Sequence, residues 1–111
     1  MNDFTCQIVK EGPAAILKVS GHITYAEVGE FEEQAFKAAS AKPSVLVLDM
    51  SDVSMMSSAG IGALLKLDVK LRAQKCPLRI AAPQPTIADV FRLARLDGVF
   101  TIVPSVAEAL H

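Results

Sequence analysis

Tryptophan is absent from this chain, tyrosine occurs once, and five phenylalanines complete the aromatic content. Single-stranded nucleic acid is bound largely by stacking bases on aromatic rings, so such a platform is excluded. An excess of either charge is lacking too. Eleven Lys and Arg stand against twelve Asp and Glu, for a formal net charge of −1, and no basic block occurs. Nucleic acid is therefore not an expected partner. No apolar run approaches the roughly 18–20 residues of a membrane span. The opening MNDFTCQIVK lacks the charged-then-apolar order of a signal peptide. A cytoplasmic protein with no direct membrane insertion is the expectation. Cysteine is scarce: Cys6 and Cys76 lie far apart and read as free thiols without metal-ligand spacing.

The familiar catalytic signatures are missing as well. No G-x-S-x-G surrounds Ser57 or Ser58. Gly60-Ile61-Gly62 is not followed by the Gly-Lys-Ser/Thr of a phosphate loop, and the third glycine of a dinucleotide fingerprint is replaced by Leu65. A Ser-His-Asp site would have to recruit His22, since His111 is the final residue; a histidine in a surface turn is the simpler account. Asp49 and Asp52 read as solvated loop carboxylates rather than a cation site. No enzyme, metal or cofactor is expected.

What is present is a half-hydrophobic chain of 111 residues, enough for one domain with a real core. Its organising stretch is Val45–Gly62, VLVLDMSDVSMMSSAGIG. The continuous apolar run Val45–Leu48 predicts a strand buried on both faces, as in a parallel sheet. Asp49–Met56 reads as a loop. Ser57-Ser58-Ala59-Gly60-Ile61-Gly62 then opens a helix reaching about Lys75. Unpaired backbone N–H groups and the positive end of the helix dipole meet at that mouth. Ser57 or Ser58 suits the N-cap. Glycines in the first turn let a partner or an anion come close.

Before this stretch, Phe4–Lys10 and Ala14–Ser20 predict a hairpin joined by Glu11-Gly12-Pro13, with Gly21 ending the second strand. Thr24 and Glu27 have capping-box spacing, and Ile23 with Val28 fits a hydrophobic staple, so a helix starts at about Tyr25. Val28, Phe31, Ala35 and Ala38 form its buried stripe, and it ends near Ser40. On the second helix Leu64, Leu67 and Leu71 form the core stripe. Ile61, Leu65 and Val69 make a second line that either widens the buried face or, starting beside Ser58, faces a partner. Leu78–Ala82 is a strand. Thr86 and Asp89 suggest the cap of a third helix carrying Ile87, Val90, Phe91 and Ala94, running to about Leu96 and stopped by Gly98. Phe100–Val103 is the last strand, and Ser105 with Glu108 caps a final helix, Val106–Leu110. The order β-β-α-β-α-β-α-β-α predicts an α/β fold with a mixed, mostly parallel sheet. Function in such sheets lies at the carboxyl ends of strands. That would gather His22, Thr24, Asp49 and Ser58.

Three segments carry a resemblance: Gly21-His22-Ile23-Thr24, VLVLDMSDVSMMSSAGIGALL, and FRLARLDGVFTIVPSVAEAL. Together they resemble the STAS domain of bacterial anti-sigma factor antagonists over essentially residues 1–111. The resemblance implies helices mainly on one face of the sheet and a non-enzymatic partner switch. In that family the unmodified antagonist binds an anti-sigma factor serine kinase and frees the sigma factor; phosphorylation blocks that binding, and a serine phosphatase reverses it. Alignment on the glycines implies Ser58 as the phosphorylated residue, with Ser57 the alternative. The implied partner surface comprises His22, Thr24, Met56, Ser57, Ser58, Ala59, Gly60, Ile61 and Leu65, on a monomer or weak dimer. Ser57 and Thr24 stand where the family often has Asp, which keeps capping ability but removes negative charge. The other reading from the same resemblance is a non-switching subunit of a stress-sensing scaffold or of a lipid-transport ATPase.

Overall fold

The apolar run that begins at Val45 becomes the central strand of a five-stranded sheet in the computed structural model, which describes residues 2–111. The elements are β1 (Thr5–Glu11), β2 (Ala14–Ile23), a 3-10 turn (Tyr25–Glu27), α1 (Val28–Ser40), β3 (Leu46–Met56), α2 (Ser58–Ala73), β4 (Leu78–Ala81), α3 (Pro85–Leu93), β5 (Thr101–Val103) and α4 (Val106–Ala109). The strands lie side by side in chain order. β1 and β2 are antiparallel, and every later pair is parallel. The predicted order and strand directions therefore hold.

Side chains alternate between the faces of a strand, so a run apolar at every position needs cover on both. On one face Leu46, Leu48 and Met50 join Leu17, Val19 and Ile80 under Phe31, Leu64, Leu67, Leu71, Ile87 and Phe91. These come from α1, α2 and α3. On the other, Val45 and Val47 join Ile16 and Ala81 under Val106 and Ala109 of the short α4 and Leu110 that follows it. Helices thus lie mainly on one face. Phe91 and Phe100 meet edge to face, with ring centroids 5.9 Å apart. Each fully buried Leu or Phe contributes roughly 1.5–3 kcal/mol.

The largest departure from expectation is Asp49–Met56, which is strand rather than loop. β2 likewise runs on past Gly21 to Ile23. Two register shifts, between Lys18 and Ser20 and between Gly21 and His22, let β2 stay beside β3, pairing His22 with Met55 and Ile23 with Met56. Gly21 lies at the second of these shifts: its φ is +89°, and a Cβ there would lie 2.8 Å from the Phe4 Cα. Beyond Met50 only Val53 and Met56 of this extension are buried, which is why its polar composition resembles a loop.

Helix ends bring smaller corrections. Pro85 occupies the first turn of α3 and Gln84 is its N-cap, so Thr86 and Asp89 do not cap it. Asp89 instead pairs with Arg92 at 3.0 Å. Ala94 is exposed and Val90 half-buried, leaving Ile87 and Phe91 as the α3 stripe. α3 stops at Leu93, well before Gly98. The residue in the left-handed stop position is Arg95, with φ 59°; Lys42 and Lys75 hold the same place after α1 and α2, with φ 53° and 58°. After α2 the N–H groups of Lys75 and Cys76 donate to the carbonyls of Arg72 and Leu71, and after α3 Arg95 and Leu96 donate to Arg92 and Phe91. Both are Schellman caps. A basic residue there also complements the negative end of the helix dipole.

Candidate functional site at the α2 helix mouth

β2 and β3 end at the same pole, and α2 begins there. The Ser57 N–H donates to the Ile23 carbonyl at 2.9 Å, fastening the start of α2 to the end of β2. Ser57 has extended backbone, and its hydroxyl accepts the Gly60 N–H at 3.4 Å. Ser57 is therefore the N-cap. Ser58 is the first helical residue and is exposed. One serine caps, and its neighbour stands in solvent over the positive end of the helix.

The glycines act differently from expectation. A Cβ on Gly60 would lie 3.0–3.1 Å from Ile23 and Met56, so this glycine admits the protein's own strand ends. A Cβ on Gly62 would meet nothing within 4 Å. Gly60 and Met56 are buried and shape the mouth from beneath. His22, Thr24, Ser57, Ala59 and Ile61 are half-buried around Ser58, and Leu65 is 37% exposed. Val69, at 68% exposure, continues the Ile61–Leu65 line into solvent, so this line does not widen the core beyond Ile61. Two residues escaped the sequence reading: Tyr25, 86% exposed, and Met55, whose side chain faces outward beside His22. Tyr25 was legible only as a helix start; Met55 was hidden inside the supposed loop.

Thr24 and Glu27 form the predicted capping box. The Thr24 N–H donates to Glu27 Oε1 at 2.9 Å, and the Thr24 hydroxyl donates to the same oxygen. These bonds, the hydroxyl's first, hold the Glu27 carboxyl below its ordinary range. Asn2 reads the His22 backbone on both sides: its Nδ2 donates to the His22 carbonyl at 2.8 Å, and its Oδ1 accepts the His22 N–H at 2.9 Å. Asp49 is not part of this cluster. It lies level with Lys18 and Ala81 in mid-sheet, buried, accepting bonds from the Ser51 N–H and hydroxyl at 3.1 and 2.8 Å. Among the described residues no group of three His, Cys, Asp or Glu is placed to hold a metal. Burial, with the Glu30 carboxylate adding to it, pushes the Cys6 thiol up to about 12, and burial raises Cys76. Neither is primed as a nucleophile.

The family model of the STAS domain matches residues 5–109. The chain belongs to the STAS-domain family. Solved structures agree on the fold. An anti-sigma factor antagonist from Mycobacterium paratuberculosis is 24% identical, with a TM-score of 0.89 over 97% of this chain and 92% of that one. SpoIIAA in its unphosphorylated form is 20% identical, with a TM-score of 0.75 over 96% and 93%. The Bacillus SpoIIAA in its phosphorylated form is likewise 20% identical, with a TM-score of 0.71 over 96% of each chain. In this STAS domain α2 opens on an exposed serine, with Ile61 and Leu65 following at helical spacing on the same helix. Among the described residues no helix is long and apolar enough to cross a membrane.

Proposed function

We propose that this STAS domain is a non-enzymatic anti-sigma factor antagonist that works by partner switching. Its unphosphorylated form binds an anti-sigma factor serine kinase and frees the sigma factor. Phosphorylation of Ser58 ends that binding, and a serine phosphatase restores it. The observation that carries this reading is the division of labour between the two serines. Ser57 is committed to the Gly60 N–H, which leaves the exposed Ser58 hydroxyl to a kinase. A phosphate there adds about −1.5 to −2 charge at a helix start that favours it, so the fold need not change. The same charge stands beside Ile61 and Leu65 and opposes docking of an apolar partner surface. Family membership, and the existence of SpoIIAA structures in both phosphorylation states, support the reading.

The test is intact-mass analysis with site mapping of protein taken from its own cells in resting and stressed growth. A phosphate on Ser58 whose occupancy changes with condition is expected. Absence of phosphate in every condition would overturn the switch and leave a binding subunit that is never modified.

A further inference from the structure

Two cavities adjoin at the pole away from Ser58. One, of about 390 Å³, lies between the β1–β2 turn and the connection from α1 to β3, with Lys10, Lys42 and Ser44 in its walls. The other, of about 290 Å³, lies between that connection and the end of α2, walled by Lys42, Pro43, Ala73, Gln74 and Cys76. Lys42 and Pro43 belong to both. β2 and β3 begin here and α1 and α2 end here, so the strands' length separates the cavities from the helix mouth.

Three features give this place a chemistry. Its charged lining is all of one sign: Lys10 and Lys42 line it and no carboxylate does. A chain of net charge −1 has here a local cationic pocket. Gln74 Oε1 is buried with no hydrogen-bond partner. Such an atom is costly to leave unpaired, so the carboxamide gains by turning it toward a donor. The carboxamide turns easily about its last torsion, so it can offer its oxygen to a hydroxyl or its NH₂ to an anionic oxygen. Lys42 is also held in place, since its backbone occupies the left-handed stop of α1 and Pro43 fixes the next φ.

We infer that this double cavity binds a small hydroxylated phosphate ester, its phosphate on Lys10 and Lys42 and its hydroxyls on Gln74 and Ser44. Either cavity admits a ligand of that size. Lysine binds phosphate as a point charge, and the amide and hydroxyl select for a ligand with donors of its own. A free metabolite and a lipid headgroup share this chemistry. The inference does not rest on the phosphoserine switch.

The experiment is an amide NMR titration of the full chain with sn-glycerol 3-phosphate, inorganic phosphate and glycerol in turn. Saturable shifts of Lys42, Ser44 and the Gln74 side-chain amide are expected with glycerol phosphate, with Ser58 unmoved. The Lys10→Gln/Lys42→Gln double variant changes exposed residues only and should weaken binding about tenfold or more. Gln74→Leu should abolish the preference for glycerol phosphate over inorganic phosphate. Flotation with phosphatidylglycerol vesicles separates the sources: binding there that the double variant loses, without soluble binding, assigns a headgroup. Two results overturn the site: no saturable shift by about 10 mM together with no vesicle binding, or identical shifts in the double variant.

Discussion

The N–H of Ser57 donates to the carbonyl of Ile23, so the first residue of the helix mouth hangs from the last residue of β2. This bond and the Ser57 cap make the mouth rigid independently of anything Ser58 does. Ser57→Ala is expected to cost about 0.5–2 kcal/mol, the usual range for losing an N-cap. Ser58→Ala is expected to stay within about 0.5 kcal/mol of the parent, as exposed substitutions do. Urea unfolding of the two variants checks the contrast. Equal losses would mean that Ser58 shares the cap.

The two glycines of α2 should respond in opposite directions. Gly60→Ala drives a methyl to within 3.0–3.1 Å of Ile23 and Met56, an overpacking that costs about 1–3 kcal/mol. Gly62→Ala adds a methyl in open space and should stabilise the helix by about 0.5–1 kcal/mol. Thermal unfolding of both variants reads the sign directly.

Adjacent leucines of α2 separate stability from docking. Leu64 is fully buried, and Leu64→Ala is expected to cost about 2–5 kcal/mol. Leu65 is still mostly covered, so Leu65→Asp should cost about 1–2 kcal/mol, less than the loss at Leu64. On the switch reading it should weaken binding of the anti-sigma kinase at least about tenfold, close to 1.4 kcal/mol. Calorimetric titration beside urea unfolding distinguishes the two effects. Unchanged binding by Leu65→Asp would remove this face of α2 from the partner surface.

The Cys6 thiol and the Glu27 carboxyl give the stability curve two slopes of opposite sign. Cys6 holds its proton up to about 12 in the folded chain, against an ordinary 9.0. Its contribution is complete below 9.0 and is lost as the pH climbs toward about 12. Glu27 is displaced downward, so its contribution is present above the ordinary carboxylate range and is lost as the pH falls through its folded value. Cys6→Ser should flatten the alkaline limb, and Thr24→Val should flatten the acid limb. Unfolding midpoints measured across pH report both.

Much of this architecture is legible from periodicity and punctuation. The helical stripe Leu64, Leu67, Leu71 and the two-sided run Val45–Leu48 are dictated by burial, and burial is what apolar spacing records. Thr24–Glu27 and Ser105–Glu108 are visible because capping chemistry is local; Ser105 does accept the Glu108 N–H at 3.1 Å. What sequence hides is long-range. Asp49–Met56 is a strand because it bulges twice and so remains paired with β2, and no residue within the segment announces that. The stops at Lys42, Lys75 and Arg95 were hidden for another reason. The left-handed position favours glycine, and here it holds exposed long cationic side chains. At the site, the glycines and serines identify the mouth, but which serine caps is decided by backbone geometry.

A sheet whose strands follow one another in chain order can be assembled by accretion. The β1–β2 hairpin spans only a two-residue turn, and each later strand could then add to the edge its predecessor has created. No strand has to insert between two already paired. Loop closure at every step spans only one helix and its connections, which keeps the entropy cost of each addition small. Refolding should therefore be quick for a mostly parallel sheet, with β2 and β3 protected from hydrogen exchange before β5.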